Sequence, residues 1–425
     1  LLYKLAYANH FILLSRTKVM VHMTGRKCIH CKGAHDEQAC PLYRKALALY
    51  KVKNLIKSES FEGSSPAPFI GRVGYPNVNV GILAPPIVSE EIARYDAPRQ
   101  WSKDNTQISD IVGFRSELVN SRTNLNIKNT NRFMDIVKEV AMAEKPVDLE
   151  INLNKIPRVR MVLDGTMAPT GPSADLKNAR ITSNTKIPTK VENAVSDTDW
   201  KASEALSSLY ERGIEENQLS KLLSVGALGI GANRKLVPTR WSITATDDTI
   251  GKNIIKEIKD LPSLGEFKAY TGMFFGNYYL IMLFPKVWSY ELFETYVPTW
   301  HQTQTATTDY ESFFGRKDYA ENTAGGYYTV RLAILEKLKQ IKRQASVLAL
   351  RFVTEEYSVP LGVWVTREAS RKSINSSPIE FGSEELMLQY AKAYARRKFN
   401  MDITALLTNS KLLTSLKQKQ LENFA

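Results

Sequence analysis

Hydrophobic and polar positions follow two rhythms along this chain, and the rhythms predict most of its elements. Residues 42–57 (LYRKALALYKVKNLIK) place Leu42, Ala46 and Leu49 on one face and Lys and Arg on the other, the period of an amphipathic helix. Residues 69–83 alternate β-prone residues with Gly71, Gly74 and Gly81, which predicts two short strands around a Tyr75–Pro76 turn. Helices are predicted over 105–120 and 131–143, the second amphipathic through Phe133, Ile136, Val137 and Val140. Strands follow at 147–153 and 159–163, then a turn cluster at 167–172. Ser196 and Asp197 read as the cap of a helix that stops at Gly213. The run 224–250 begins as a helix end and loosens through Gly226, Gly229 and Gly231. It turns through Arg234, Lys235, Pro238 and Arg240, and closes on a β-prone stretch, 241–246, before Asp247 and Asp248. Residues 267–275 and 278–284 read as a hairpin joined at Gly276–Asn277. Trp288, Tyr290 and Trp300 fall in a loop-and-helix region. A helix over 327–342, strands at 345–353 and 362–366, and a Ser383-capped helix through Phe399 complete the body, and the last fifteen residues read as a polar tail.

These elements predict a mixed α/β fold with a two-part globular body, 63–265 and 266–405. A small N-terminal module at 24–62 precedes it, a flexible tail at 406–425 follows, and residues 1–23 form a doubtful extension. Hydrophobic content of 43% with 24% charged residues suits a soluble globular chain. The first residues are too short and too polar to span a bilayer, so the expected setting is cytoplasmic, with no membrane partner. The net charge of +13 is concentrated at the ends: residues 1–62 hold 11 Lys and Arg against 4 Asp and Glu, whereas 63–370 hold 37 against 35. Terminal basic modules suit a polyanionic partner, and a solvated face is the plainer alternative.

All three cysteines lie within residues 28–40, in CIHCKGAHDEQAC. With His35 as fourth ligand, Cys28, Cys31 and Cys40 give C-x2-C-x3-H-x4-C, a spacing suited to one structural Zn2+. Arg234, Lys235 and Arg240 beside the loosening glycines read as a nucleic-acid or phosphate-facing site, or as a helix–loop–strand connection with solvated charges. Aromatics beside Arg72, Arg94 and Arg99 suit base stacking and phosphate contact, or serve as core plugs. Asp197 and Asp199 form a D-x-D pair able to hold Mg2+ with a phosphate, or simply to cap a helix. There is no G-x-x-x-x-G-K-[ST], G-x-S-x-G or H-E-x-x-H, so no P-loop, nucleophile elbow or zincin site is indicated.

Several stretches together carry a family likeness: FIGRVGYPNVNVG (69–81), YDAPRQW (95–101), GPSADLKNARIT (171–182), VSDTDWKASEAL (195–206), RKLVPTRWSIT (234–244), GGYYTVRLAILE (325–336) and PLGVWVTRE (360–368). The sequence resembles the archaeal Nre family of DNA repair proteins. The resemblance implies a role in DNA damage repair and binding to the sliding clamp, PCNA. In that family the N-terminal module looks like a four-cysteine site; here there is no fourth cysteine, so either His35 replaces it or the site has decayed. Gln418, Leu421 and Phe424 match the clamp-binding spacing Q-x-x-L-x-x-F, with Ala425 where a second aromatic is usual. The expectation is a repair factor that binds DNA and is tethered to the clamp. The alternative is a metal-dependent enzyme acting on DNA or a nucleotide, with Asp247, Asp248, Asp197 and Asp199 as its candidate catalytic carboxylates and Mg2+ as its cofactor.

Overall fold

The computed structural model describes residues 40–158, 168–297 and 306–418. Helix α1 (Pro41–Leu55) opens with proline at its first turn, where no N–H is missed, and buries Ala48, Leu49 and Val52 on one face. Strands β1 (Ser60–Ser65), β2 (Ala67–Ile70) and β3 (Asn77–Ala84) follow. A 3-10 turn at Glu90–Asp96 leads into α2 (Pro98–Asp104) and α3 (Ile108–Glu117). Helix α1 lies against α3, with Arg44 paired to Asp110 at 3.0 Å and Lys51 to Glu117 at 2.8 Å. Two cations of α1 are thus neutralised within the body.

Next come β4 (Val119–Asn126), α4 (Arg132–Met142), β5 (Val147–Leu153) and β6 (Ser173–Ile181). The first sheet has the order β1-β5-β6-β4-β3-β2, antiparallel except for β4 beside β6. Alternation sets its inner face: Val78, Val80, Ile82, Leu149 and Ile151 are fully buried, while Asn77, Asn124 and Asn126 are exposed. The expected strand at 159–163 lies outside the described residues.

Helices α5 (Thr189–Ser196), α6 (Ala202–Glu211), α7 (Glu216–Ser224) and α8 (Thr239–Lys259) carry the chain across. Two expectations are corrected here. Asp197 ends α5 rather than starting α6; its Oδ1 accepts from the N–H groups of Asp199 and Trp200 at 2.9 and 3.1 Å, a local Asx turn. The β-prone stretch 241–246 is the opening of the 21-residue α8. Its buried positions Ser242, Thr246, Asp247, Ile250, Ile254, Ile255 and Ile258 recur at helical spacing, and that packing overrides local β-propensity.

The second sheet is built from β7 (Phe267–Phe274), β8 (Asn277–Phe284), β9 (Ser289–Tyr296), β10 (Ala306–Glu311), then α9 (Ala324–Gln340), β11 (Ser346–Val353), α10 (Trp364–Ile374) and β12 (Ile379–Phe381). Its order is β10-β9-β11-β8-β7-β12, with β9 and β11 parallel. Tyr290 belongs to strand β9, not to a loop and helix, because Tyr290 and Leu292 share one buried face; Trp288 lies in the bend just before that strand, and Trp300 lies outside the described residues. Residues 364–374 form a helix where a strand was expected at 362–366: Gly362 turns at φ 110° and Val365 and Ala369 are buried one turn apart. Strand β8 shows why this sheet reads as a continuous apolar run. Tyr279, Ile281 and Leu283 enter one core, and Leu280, Met282 and Phe284 the other.

The first of those cores is continuous from Val52 to Ile374 and takes side chains from both sheets and from α4 to α10. The second lies on the far face of the second sheet, under α11 (Glu384–Phe399), α12 (Thr404–Thr408) and α13 (Lys411–Lys417). The flexible approach expected over 411–417 is thus a docked helix. The fully buried carboxylate of Glu291 on β9 accepts from Ser410 Oγ at 2.5 Å and from the N–H of Leu412 at 3.0 Å, while Leu412 and Leu413 fill the core. No helix among the described residues is long and apolar enough to cross a membrane.

Candidate nucleic-acid interface

The glycine-loosened run after α7 folds back on itself. Gly226 has φ 66°, and a Cβ there would stand 2.8 Å from the Lys235 carbonyl, so only glycine allows the two backbones to pass. Arg234 is engaged within the protein. Its guanidinium donates to the carbonyls of Gly229 at 2.6 Å and Val195 at 2.7 Å, and to that of Asp197. It staples the loop to the end of α5. Lys235 and Arg240 are exposed, as expected of a solvent-facing pair.

Beside them stands a feature that spacing cannot reveal. Trp241, in the first turn of α8, meets Tyr75 of the β2–β3 loop with ring centroids 5.3 Å apart and planes at 51°. Trp241 is 45% exposed and Tyr75 44%. Backbone contacts hold the segments in register: Ile70 N–H donates to Thr239 Oγ1 at 2.9 Å, Ile127 N–H to the Pro76 carbonyl at 3.0 Å, and Leu236 N–H to the Ile127 carbonyl at 2.9 Å. The three segments that meet here, 63–89, 118–134 and 217–246, contain no Asp or Glu. They bring exposed Arg72, Lys128, Lys235 and Arg240 to this region, and none of these is ion-paired among the described residues. Acidic residues reappear at its edges, Asp175 beside Arg122 on β6 and Asp197 beside Arg234.

Two of the carboxylates proposed for chemistry, Asp247 and Asp248, lie elsewhere, in the seam between the sheets. Asp247 is fully buried and bidentate with one Arg367 nitrogen, at 2.7 and 2.6 Å; burial raises its pKa to about 6 although Arg367 opposes this. Asp248 pairs with Arg331 at 2.5 Å and Lys252 at 2.7 Å. One residue step on a helix turns them about 100° apart, so they reach different partners. Glu216, buried at the start of α7, accepts from Arg99 at 2.5 Å, Arg371 at 2.9 Å and Arg367 at 3.4 Å. Burial alone would raise its pKa, but the three guanidiniums hold it well below the usual carboxylate range. Arg371 also binds Glu336 and Glu368. The seam also carries the Trp101–Trp364 contact, with centroids 5.2 Å apart. The structure does not bring Asp197 and Asp199 to Asp247 and Asp248 as one site: the first pair closes a surface turn, the second is engaged by arginines. No group of three or more His, Cys, Asp or Glu suited to a metal occurs among the described residues.

Of the zinc set, Cys28, Cys31 and His35 lie outside the described residues, and Cys40 is buried at the head of α1. Of the clamp motif, Gln418 is exposed directly after α13, and Leu421 and Phe424 lie outside the described residues.

Two family models match the chain: the N-terminal model of archaeal Nre over residues 35–301, and the C-terminal model of archaeal Nre over 311–424. The chain belongs to the archaeal Nre family. It is 34% identical over 403 residues to the DNA repair protein NreB of Archaeoglobus fulgidus, covering 93% of this chain and 99% of that one. It is 36% identical over 323 residues to the DNA repair protein NreA of Haloferax volcanii, covering 73% and 77%. NreA of Archaeoglobus fulgidus is 34% identical over 401 residues, covering 92% and 99%. No solved structure matches the chain.

Proposed function

We propose that this chain is a DNA repair factor that binds DNA and is tethered to the sliding clamp through Gln418, Leu421 and Phe424. Its relatives are named as DNA repair proteins over nearly its whole length, which supports the repair role. The observation that carries the tether is the place on the body where α13 ends. Glu291 caps α13 and two leucines anchor it, and the next residue, exposed Gln418, is the first of the Q-x-x-L-x-x-F spacing. The motif therefore starts from a fixed point on the surface. Leu421 and Phe424 supply apolar anchors within one short turn, and Gln418 a polar contact beside them. The missing second aromatic removes one anchor, so a Kd on the order of micromolar is expected. DNA binding is supported by the exposed cations Arg72, Lys128, Lys235 and Arg240, carried by three segments without Asp or Glu.

Calorimetric titration of the full chain into the cognate clamp tests the tether. Binding in the micromolar range, lost in the Leu421→Ala plus Phe424→Ala variant, is the expected result. Equal binding by that variant, or none at high micromolar clamp, refutes it. The enzyme alternative gains no support from the carboxylates on which it rested, since Asp247 and Asp248 are held in arginine pairs.

A further inference from the structure

We propose that Tyr75 and Trp241 form a stacking platform for unpaired bases of single-stranded DNA, with Arg72, Lys128, Lys235 and Arg240 taking the neighbouring phosphates. The inference rests on the DNA-binding reading above and adds a place and a strand preference to it. Two aromatic rings from distant parts of the chain meet at the surface and stay nearly half exposed, 44% and 45%. A pair serving only to pin the β2–β3 loop would gain more by burying its faces. The same loop also leaves Val73 80% exposed.

The charge around it selects the partner class. The three segments that build the surface carry no carboxylate, and their exposed cations have no ion-pair partner among the described residues. A chain whose residues 63–370 hold 37 cations against 35 anions has here gathered cations without their counter-charges. That suits a polyanion. The rings then decide between duplex and single strand. Bases in a duplex are stacked on one another and offer no free face, whereas unpaired bases stack on exposed aromatic rings with little sequence preference. Asn77, Asn124 and Asn126, on the adjoining ends of β3 and β4, extend the surface with neutral hydrogen-bonding groups.

The test uses the full chain and fluorescein-labelled oligothymidylate of about 20 nucleotides, a length exceeding one such site, against a blunt duplex of equal length. Fluorescence anisotropy should show tighter binding to the single strand. Trp241→Ala and Tyr75→Ala should each weaken single-strand binding roughly tenfold, with Trp241→Phe retaining most of it, and duplex binding should change far less. In the unaltered chain, oligonucleotides carrying 5-iododeoxyuridine should photo-crosslink to peptides containing Tyr75 or Trp241, a readout that needs no variant to fold. Unchanged single-strand affinity in the double variant, or crosslinks confined to other peptides, overturns the platform and leaves the DNA reading standing. If the unaltered chain binds neither oligonucleotide, both readings fall. Loss of melting temperature in the variants with DNA affinity unchanged would make the pair a packing contact only.

Discussion

Replacing Glu216 by Gln should loosen the joint between the two sheets. The carboxylate is almost fully buried and is shared by Arg99, Arg367 and Arg371. The amide keeps the shape and one acceptor oxygen, but turns an NH2 group toward guanidinium donors. Removing one partner of a buried ion pair costs about 3–5 kcal/mol. The lower end applies, because Arg367 keeps Asp247 and Arg371 keeps Glu336 and Glu368. Arg99, whose side chain is 38% exposed, can turn toward water. For 425 residues at about 2.1 cal/mol/K each, about 3 kcal/mol corresponds to a fall in melting temperature of about 3 °C.

The pH dependence adds a second signature. Glu216 has a depressed pKa in the folded protein, so its contribution is present above the unfolded value and is lost as pH falls through the folded one. The gap between the unaltered and Gln proteins should therefore be full at neutral pH and close progressively below the ordinary carboxylate value of 4.5. Asp247 acts with the opposite sign. Its pKa is raised to about 6, so its contribution is fully present below the unfolded value of 3.8 and is lost as pH rises through about 6. Differential scanning calorimetry across this range reads both effects. A Glu216→Gln protein that melts with the unaltered one at pH 7 would show that the arginines need no carboxylate there, and the reasoning would fail.

Two further outcomes separate the cations and the metal. Lys235→Ala and Arg240→Ala should each make the dependence of DNA affinity on salt shallower, by roughly 0.7–0.9 for every phosphate left without its cation. Arg234→Ala should leave that slope unchanged but lower stability by about 2–3 kcal/mol, since it orphans three backbone carbonyls. Elemental analysis of the purified chain should give about one zinc per molecule, absent after Cys28→Ser plus Cys31→Ser; retention of zinc by that variant would remove the cysteine site.

Elements with a local cause were legible in the sequence. The helical period of α1, the alternation of β5 and the Ser383 cap of α11 each fix structure through near neighbours. Misreadings fell where distant packing decides. Trp241 to Thr246 have β-prone side chains, yet the isoleucines a turn or two later commit the stretch to a helix. Strand β9 and helix α10 were misassigned because aromatics and glycine near them resemble turns, while their faces are set by other strands and helices. The same limit governs the site. The sequence left Lys235 and Arg240 open between a phosphate-facing site and solvated charges, and the destination of Arg234 depends on carbonyls of another helix end. The partner of Trp241 lies in a hairpin far earlier in the chain. A search for stretches free of Asp and Glu would have marked all three segments, although not their meeting.

The motifs that carry the family likeness divide by destination, and the division bears on what the molecule does. YDAPRQW sends Arg99 and Trp101 into the seam, GGYYTVRLAILE sends Arg331 and Glu336, and PLGVWVTRE sends Trp364 and Arg367. These residues are explained by the joint they make. Buried ion pairs add little net stability over apolar packing, but a mismatched seam would strand charges, so they specify one way of fitting the halves together. FIGRVGYPNVNVG and RKLVPTRWSIT differ. They send Arg72, Tyr75, Lys235, Arg240 and Trp241 to the solvent, where burial explains none of them and the three cations have no ion pair within the described residues. The rigid seam positions α8, and α8 in turn presents Trp241 against Tyr75, so a change deep in the seam should reach the surface through that helix.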